Sequence, residues 1–184
     1  MAAAVSEAVQ SALAGIQFRL KTAGADIGWV EPARIHLTLL FLGHVFEPQA
    51  TALAAATDDI TAGYKPCTLE VNGLGCFGRP HAPRVIWTGL TGNLQPLLEL
   101  QGKIAEAAKA AGIYTDARPF HPHLTIGRVR SSRRAQELLQ AIETCRGTAF
   151  GTLEIKSVHL MQSELTPRGP IYTRLHESRL AAAD

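Results

Sequence analysis

A short pattern, His-Leu-Thr followed by Leu or Ile, occurs twice in this chain, within Ile35 to Leu40 (IHLTLL) and within Phe120 to Arg130 (FHPHLTIGRVR). Seven His and 15 Thr in 184 residues give about 0.6 bare His-x-Thr pairs by chance, so the pairs alone decide nothing. The fuller pattern is expected only ~0.01 times at this composition, so its recurrence constrains the fold. In an extended strand, residues two apart point to the same face. His36 and Thr38 therefore share one face, and His123 and Thr125 another. Either copy alone also reads as a packing His beside a strand-forming Thr. If the two strands lie side by side or face each other across a cleft, two imidazoles, each with a hydroxyl beside it, meet in one small volume. That is the equipment for proton transfer at both ends of a phosphodiester.

The rest of the chain supplies scaffold for these two strands. Ser6 can cap a helix to about Lys21, with Val9, Leu13, Ile16 and Leu20 at helical spacing and Gly24 as a stop. Ile27 to Val30 is short and extended, and Pro32 and Arg34 turn the chain into the first motif strand, Ile35 to Leu42, whose Leu37, Leu39 and Phe41 are expected in a core. Pro48 to about Ala62 reads as a helix, and Pro66 to Leu74 and Arg84 to Leu90 as strands. Leu94 to Ala111 is a helix with Leu97, Leu100, Ile104 and Ala108 on one face. The second motif strand follows Pro119, and Ser132 is placed to cap a helix through Cys145. Thr152 to Leu165 alternates as one strand with a bulge near Ser157. Pro167, Gly169 and Pro170 turn the chain into a last strand, Ile171 to Glu177. Each half of this order delivers one His-x-Thr strand, so the chain reads as two similar lobes with a cleft between them.

Gly73, Gly75 and Gly78 match the spacing of a dinucleotide-binding loop, but that loop must open a helix. Pro80 and Pro83 follow at once and break any such helix, so a turn-rich strand connection is expected. The length fits one domain or two small lobes sharing an interface. With 46% hydrophobic and 18% charged residues the composition is globular. The formal net charge of +2 is too small for a global nucleic-acid field, although Arg128, Arg130, Arg133 and Arg134 cluster just after the second motif. Cys67, Cys76 and Cys145 are odd in number and lack Cys-x-x-Cys spacing, which suggests neither a disulfide framework nor a zinc knuckle. With no signal peptide and no long apolar run, a soluble, cytoplasmic protein with no membrane partner is expected.

The segments WVEPARIHLTLLFLG (Trp29 to Gly43), CFGRPHAPRVIWTGL (Cys76 to Leu90), FHPHLTIGRV (Phe120 to Val129) and SELTPRGPIYTRL (Ser163 to Leu175) resemble the two-histidine (2H) phosphoesterases, and among them the RNA 2',3'-cyclic phosphodiesterases, also called 2'-5' RNA ligases. The resemblance implies an α+β fold of two pseudo-symmetric lobes of largely antiparallel sheet, with outer helices and a central cleft, spanning residues 1–184 as one domain. It implies an enzyme that opens the terminal 2',3'-cyclic phosphate of RNA to a 2'-phosphate, with RNA ends or nucleoside 2',3'-cyclic phosphates as partners. By the same resemblance His36 is the proton donor to the leaving 3'-oxygen, and His123 is the base that activates water. Thr38 and Thr125 bind the phosphate oxygens, and Arg128 is a phosphate-binding cation. Members of the family usually begin with an apolar strand. This chain starts MAAAVSEAV and passes almost directly into a helix, so that strand is expected to be missing, leaving an open sheet edge.

Imidazole is suited to both proton transfers because its ordinary pKa, near ~6.5, lets it serve as acid or base at neutral pH. The chemistry calls for no metal or other cofactor, and a 5'-hydroxyl attacking the cyclic phosphate in place of water gives ligation without ATP. A monomer is expected. Two other readings stay open. One is a metal-dependent hydrolase in which His121 and His123 join His36 or His44, although no Asp or Glu lies in either motif to complete a site. The other is a non-catalytic protein that binds RNA ends carrying a 2'-phosphate.

Overall fold

Apolar residues alternating on strands and recurring at helical spacing close over a single core in the computed structural model, which describes residues 1–79, 81–115, 118–166 and 169–182. The strands are β1 (Ala2–Ala4), β2 (Ile27–Trp29), β3 (His36–Thr38), β4 (Cys67–Arg79), β5 (Ala82–Thr91), β6 (His123–Val129), β7 (Ala149–Ile155), β8 (Ser157–Thr166) and β9 (Gly169–Arg179). The helices are α1 (Glu7–Lys21), α2 (Glu47–Thr61), α3 (Gln95–Ala110) and α4 (Ala135–Thr144). Ser6 caps α1 with its side-chain oxygen toward the Val9 amide, as the sequence predicts. No helix is long and apolar enough to cross a membrane among the described residues.

The strands form one antiparallel sheet in the order β7-β4-β5-β6-β3-β1-β8-β9, with β2 paired to β6. Its midpoint is a single bridge, Leu37 opposite Leu124, between the two motif strands. One lobe is β7-β4-β5-β6 with α1 and α4 packed on it; the other is β3-β1-β8-β9, covered by α2 with α3 against α2. These lobes are not the two halves of the sequence. β4 and β5 belong with the second motif strand, and β8 and β9 with the first.

The expected single strand from Thr152 to Leu165 is two strands in different lobes. β7 pairs with β4 whereas β8 pairs with β1 and β9, so the chain crosses between lobes at Lys156, where a bulge was expected. Alternation continues through the crossing, with Leu153, Ile155, Val158 and Leu160 all buried, which is why the sequence shows no break. The glycine-rich stretch is strand rather than nucleotide loop, with β4 running on to Arg79 and pairing with β5; Pro80 lies outside the described residues, as do Pro167 and Arg168 of the last turn. The first motif strand is only three residues long. Leu40 rather than Phe41 follows Leu39 into the core, and Phe41 is 70% exposed. The fourth helix begins three residues after Ser132. Its cap is Arg134 in the left-handed region, at φ 53°.

The N-terminal strand is present, contrary to expectation. Ala2, Ala3 and Ala4 pair with Thr38, Leu37 and His36, and Ala2 also pairs with His159, so β1 fills the gap between β3 and β8. Alanine favours helices intrinsically, and the strand signal of bulky β-branched residues is absent. Here small side chains suit a strand held on both sides by neighbours, and β-propensity yields to that context. Met1 extends the pairing, with its nitrogen donating to the Leu40 carbonyl at 2.7 Å and its own carbonyl accepting from the Leu39 amide. Ala3 is 1% exposed, so Ala3→Asp should place an unpaired charge in the core and cost about 3 kcal/mol or more. Urea unfolding followed by circular dichroism checks this; a loss below ~1 kcal/mol would mean that β1 is dispensable.

Candidate active site

The Leu37–Leu124 bridge fixes the geometry of both motifs at once. Both leucines are fully buried, while His36, Thr38, His123 and Thr125 are all half-buried on the opposite face. Extending the antiparallel register by one residue each way sets His36 across from Thr125 and Thr38 across from His123. Directly opposed residues share a face with Cβ atoms ~4.5–5.5 Å apart. The four side chains thus form a two-by-two array, each imidazole facing the other motif's hydroxyl. The flanking positions are small on one diagonal. Gly89 lies beyond His123 and Ala4 beyond His36, so the array stays open to the cleft.

Both imidazoles are oriented by the same device. His36 Nδ1 lies 2.8 Å from the Arg34 carbonyl, and His123 Nδ1 lies 2.7 Å from the His121 carbonyl, in each case two residues back along the chain. A carbonyl only accepts, so Nδ1 carries the proton in both rings, and Nε2 is left as the acceptor nitrogen of each. The three-residue turn Pro32–Arg34 presents the first carbonyl, and the His121-Pro122 entry to β6 presents the second. Burial holds the pKa of His36 below its ordinary value, against an opposing contribution from the hydrogen bond to the Arg34 carbonyl.

Aromatic rings wall the array at both ends. Tyr172 meets His36 edge-on at 5.3 Å between centroids. Tyr172 sits on β9, three strands from β3, a separation of ~14 Å in a flat sheet, so the sheet curls to bring it there. On the other side Phe77 meets His123 edge-on at 4.9 Å, and Trp87 lies 5.1 Å from Phe77. Trp87, which its sequence context places in the core rather than in the cleft, instead stands opposite Thr125 on the cleft face, because an apolar ring satisfies either face. Its indole lies over Gly75 of β4, where an added Cβ would come within 2.3 Å of the ring. One glycine of the apparent nucleotide loop is therefore the seat of an aromatic ring. Phe77, inside the same glycine-rich stretch, carried no sequence signal of a site.

Arg128 reaches this face through a bulge. Simple alternation from Thr125 would turn residue 128 toward the core. Between β5 and β6, however, Ile86 pairs with Gly127 and Trp87 with Thr125, leaving Ile126 as an extra residue. The insertion reverses the parity, as bulges do, and Arg128, opposite Val85, is exposed. The Ile126 carbonyl accepts from the Val30 amide and from the side chain of Gln17, which is 4% exposed and also donates to the Val30 carbonyl. Gln17, on the first helix and unremarkable in sequence, thus satisfies the backbone of the bulge.

His44, His81 and His121 are not brought to the array. His44 packs against Phe46, and His121 contributes its carbonyl. Among the described residues no three His, Cys, Asp or Glu side chains are grouped to hold a metal ion. His159, opposite Ala2, bonds to Ser157 at 2.9 Å, and His176 bonds to Asp58 of α2 at 2.9 Å.

With this geometry in hand, the comparisons with known proteins are specific. The 2'-5' RNA ligase superfamily model matches residues 5–167. The chain belongs to this superfamily. It is 33% identical over 180 residues to a protein of Methanothermobacter thermautotrophicus named RNA 2',3'-cyclic phosphodiesterase, covering 98% of this chain and 97% of the relative. It is 31% identical to a protein of the same name from Aeropyrum pernix, covering 93% and 96%. Among solved structures, TT0787 of Thermus thermophilus superposes with a TM-score of 0.81 at 26% identity, covering 100% of this chain and 97% of that one. Apo LigT of E. coli superposes at 0.75 and 24% identity, covering 98% and 95%, a likeness of fold.

Replacing Gln17 by Leu should leave the Ile126 carbonyl short of a buried partner, destabilising the protein by roughly 1–3 kcal/mol. Denaturant unfolding of the purified variant measures this, and an unchanged midpoint would remove Gln17 as the support of the bulge.

Proposed function

We propose that this superfamily member is an RNA 2',3'-cyclic phosphodiesterase, opening a terminal 2',3'-cyclic phosphate to a 2'-phosphate by acid-base catalysis between His36 and His123. The observation that carries the reading is the matched pair of Nδ1–carbonyl ties, which leave two equivalent Nε2 atoms to exchange protons beside two hydroxyls. The names of the relatives from Methanothermobacter and Aeropyrum support the same activity.

In this mechanism His123 Nε2 takes a proton from water as the oxygen attacks phosphorus, and His36 Nε2 donates one to the 3'-oxygen as its bond to phosphorus breaks. Thr38 and Thr125 donate hydrogen bonds to the non-bridging oxygens, and Arg128 supplies positive charge to them. Burial disfavours the protonated form of His36 in the free enzyme; an anionic phosphate beside the ring favours it, so substrate helps to prepare its own acid. A 5'-hydroxyl in the place of water would yield a 2'-5' linkage without ATP. Nucleoside 2',3'-cyclic phosphates and RNA ends are the partners this site fits, with no metal needed for the proton transfers.

His36→Ala and His123→Ala should each lower kcat by about 10²- to 10⁴-fold while leaving the circular dichroism spectrum unchanged. The test is release of 2'-phosphate from adenosine 2',3'-cyclic phosphate in excess chelator. Wild-type turnover in either variant would overturn the assignment, and a 3'-phosphate product would reverse the two roles.

One histidine must be protonated and the other neutral, so kcat/KM should be bell-shaped in pH. Because burial lowers the pKa of His36, the acidic limb should fall below the ordinary imidazole value of ~6.5. A profile flat from pH ~5 to ~8 would exclude a pair of titrating imidazoles.

A further inference from the structure

A cavity of about 530 Å³ opens at the far end of β6 from His123, lined by Phe77, Gly78, Arg84, Val85, Arg118, Arg128 and Val129. Three guanidinium groups border one concavity in a protein whose formal net charge is only +2. No role in the proton transfers falls to Arg84 or Arg118. Two irregularities in the sheet build the cavity. One is the bulge that turns Arg128 to this face. The other lies where Phe77 pairs with Val85 but Gly78 pairs with Pro83, leaving Arg84 as the inserted residue. Gly78 permits that insertion. It has φ +128°, and an added Cβ would come within 2.5 Å of the Ala82 carbonyl oxygen. Bulges re-aim side chains, and here both re-aim an arginine toward the same space.

A single ring stands between the cavity and the histidine array. Phe77 touches His123 on one side and lines the cavity on the other. Thr125 stands opposite Trp87 and Arg128 opposite Val85, two residues apart on β5, so the two positions are roughly 7 Å apart along the sheet at ~3.3 Å per residue, a span that one nucleoside can bridge. Guanidinium groups suit phosphate because their planar donors match its oxygens in pairs.

We propose that Arg84 and Arg118 of this cavity form a second phosphate subsite, which takes the 5'-phosphoryl group of the nucleoside whose 2',3'-cyclic phosphate lies at the histidines, with Arg128 standing between the two phosphates. This rests on the function proposed above. The 5'-phosphoryl group is either the next phosphodiester of an RNA chain or the monoester of a free nucleotide, and the same chemistry recognises both. The subsite makes the protein select substrates that carry phosphate on both sides of the terminal sugar.

The test compares kcat/KM for adenosine 2',3'-cyclic phosphate, its 5'-phosphorylated form, and the dinucleotide ApA ending in a 2',3'-cyclic phosphate, in the wild type, Arg84→Gln and Arg118→Gln. A 5'-phosphoryl group should raise kcat/KM about tenfold or more in the wild type, mainly through KM, as expected for charge-assisted hydrogen bonds. The ratio should collapse to within about twofold in each variant and shrink with added salt. An advantage for both phosphorylated substrates assigns the subsite to either ester. One confined to ApA assigns it to the RNA diester, and one confined to the monoester to free nucleotides. Equal kcat/KM for all three substrates, or an advantage that survives in both variants, overturns the proposal and leaves the histidine mechanism standing. If the wild type turned over none of the three, the histidine mechanism would fall instead. Calorimetric binding of adenosine 5'-monophosphate against adenosine would then decide the subsite alone, equal affinity overturning it.

Discussion

The backbone bridge between Leu37 and Leu124 is the contact on which the rest depends. It joins two lobes that otherwise have separate strands and separate covering helices, and it sets the register of both motifs. Because side-chain direction alternates with a period of two, a slip of one residue would turn one motif's histidine into the core and its leucine into the cleft. The buried leucines oppose that slip on one side, and the alternation of polar residues opposes it on the other. The hydrophobic effect thereby sets the position of the four polar side chains of the array.

Much of the site was legible because the chemistry and the fold use the same alternation. His36, Thr38, His123 and Thr125 could be placed on common faces from spacing alone, and the structure brings them onto one face. The helices were legible too, with α1 and α3 close to their expected bounds. What could not be read was pairing. β1 is three alanines whose strand geometry comes wholly from its neighbours, so local propensity pointed elsewhere. The continuous alternation from Leu153 to Leu160 concealed a change of lobe, because both lobes face the same core. Trp87 and Phe77 were illegible as cleft residues for a related reason, since apolar rings satisfy either face. Arg128 was placed through family likeness, while its parity depends on a bulge that leaves no mark in composition.

Gln17 and the bulge at Ile126 show how distant parts of the chain are drawn into service of the site. A side chain on the first helix satisfies a backbone carbonyl more than a hundred positions away, and the irregular strand it supports presents a cation to the cleft. The glycines of the apparent nucleotide loop act similarly. Gly75 yields room to an indole, and Gly78 lets two backbones approach at the rim of the arginine cavity. Two of the sheet's departures from regular pairing, at Arg84 and at Ile126, thus shape the cleft.

The exchange of strands between the lobes bears on how the molecule is made. At the ribosome, β1 and β3 emerge early, yet the partners that complete their lobe, β8 and β9, lie more than a hundred residues downstream. Until then β1, which lies beside the strand that carries His36, has an unsatisfied edge, a state in which nascent β proteins pair wrongly with other chains. Such long-range pairing also slows folding, since loop closure precedes the contacts that reward it. The four strands of the other lobe, β4 to β7, are consecutive in the chain, so the lobe that carries His123 can assemble while the lobe that carries His36 still waits for β8 and β9. The array is walled on both sides only once the last strand, which brings Tyr172 to His36, is in place.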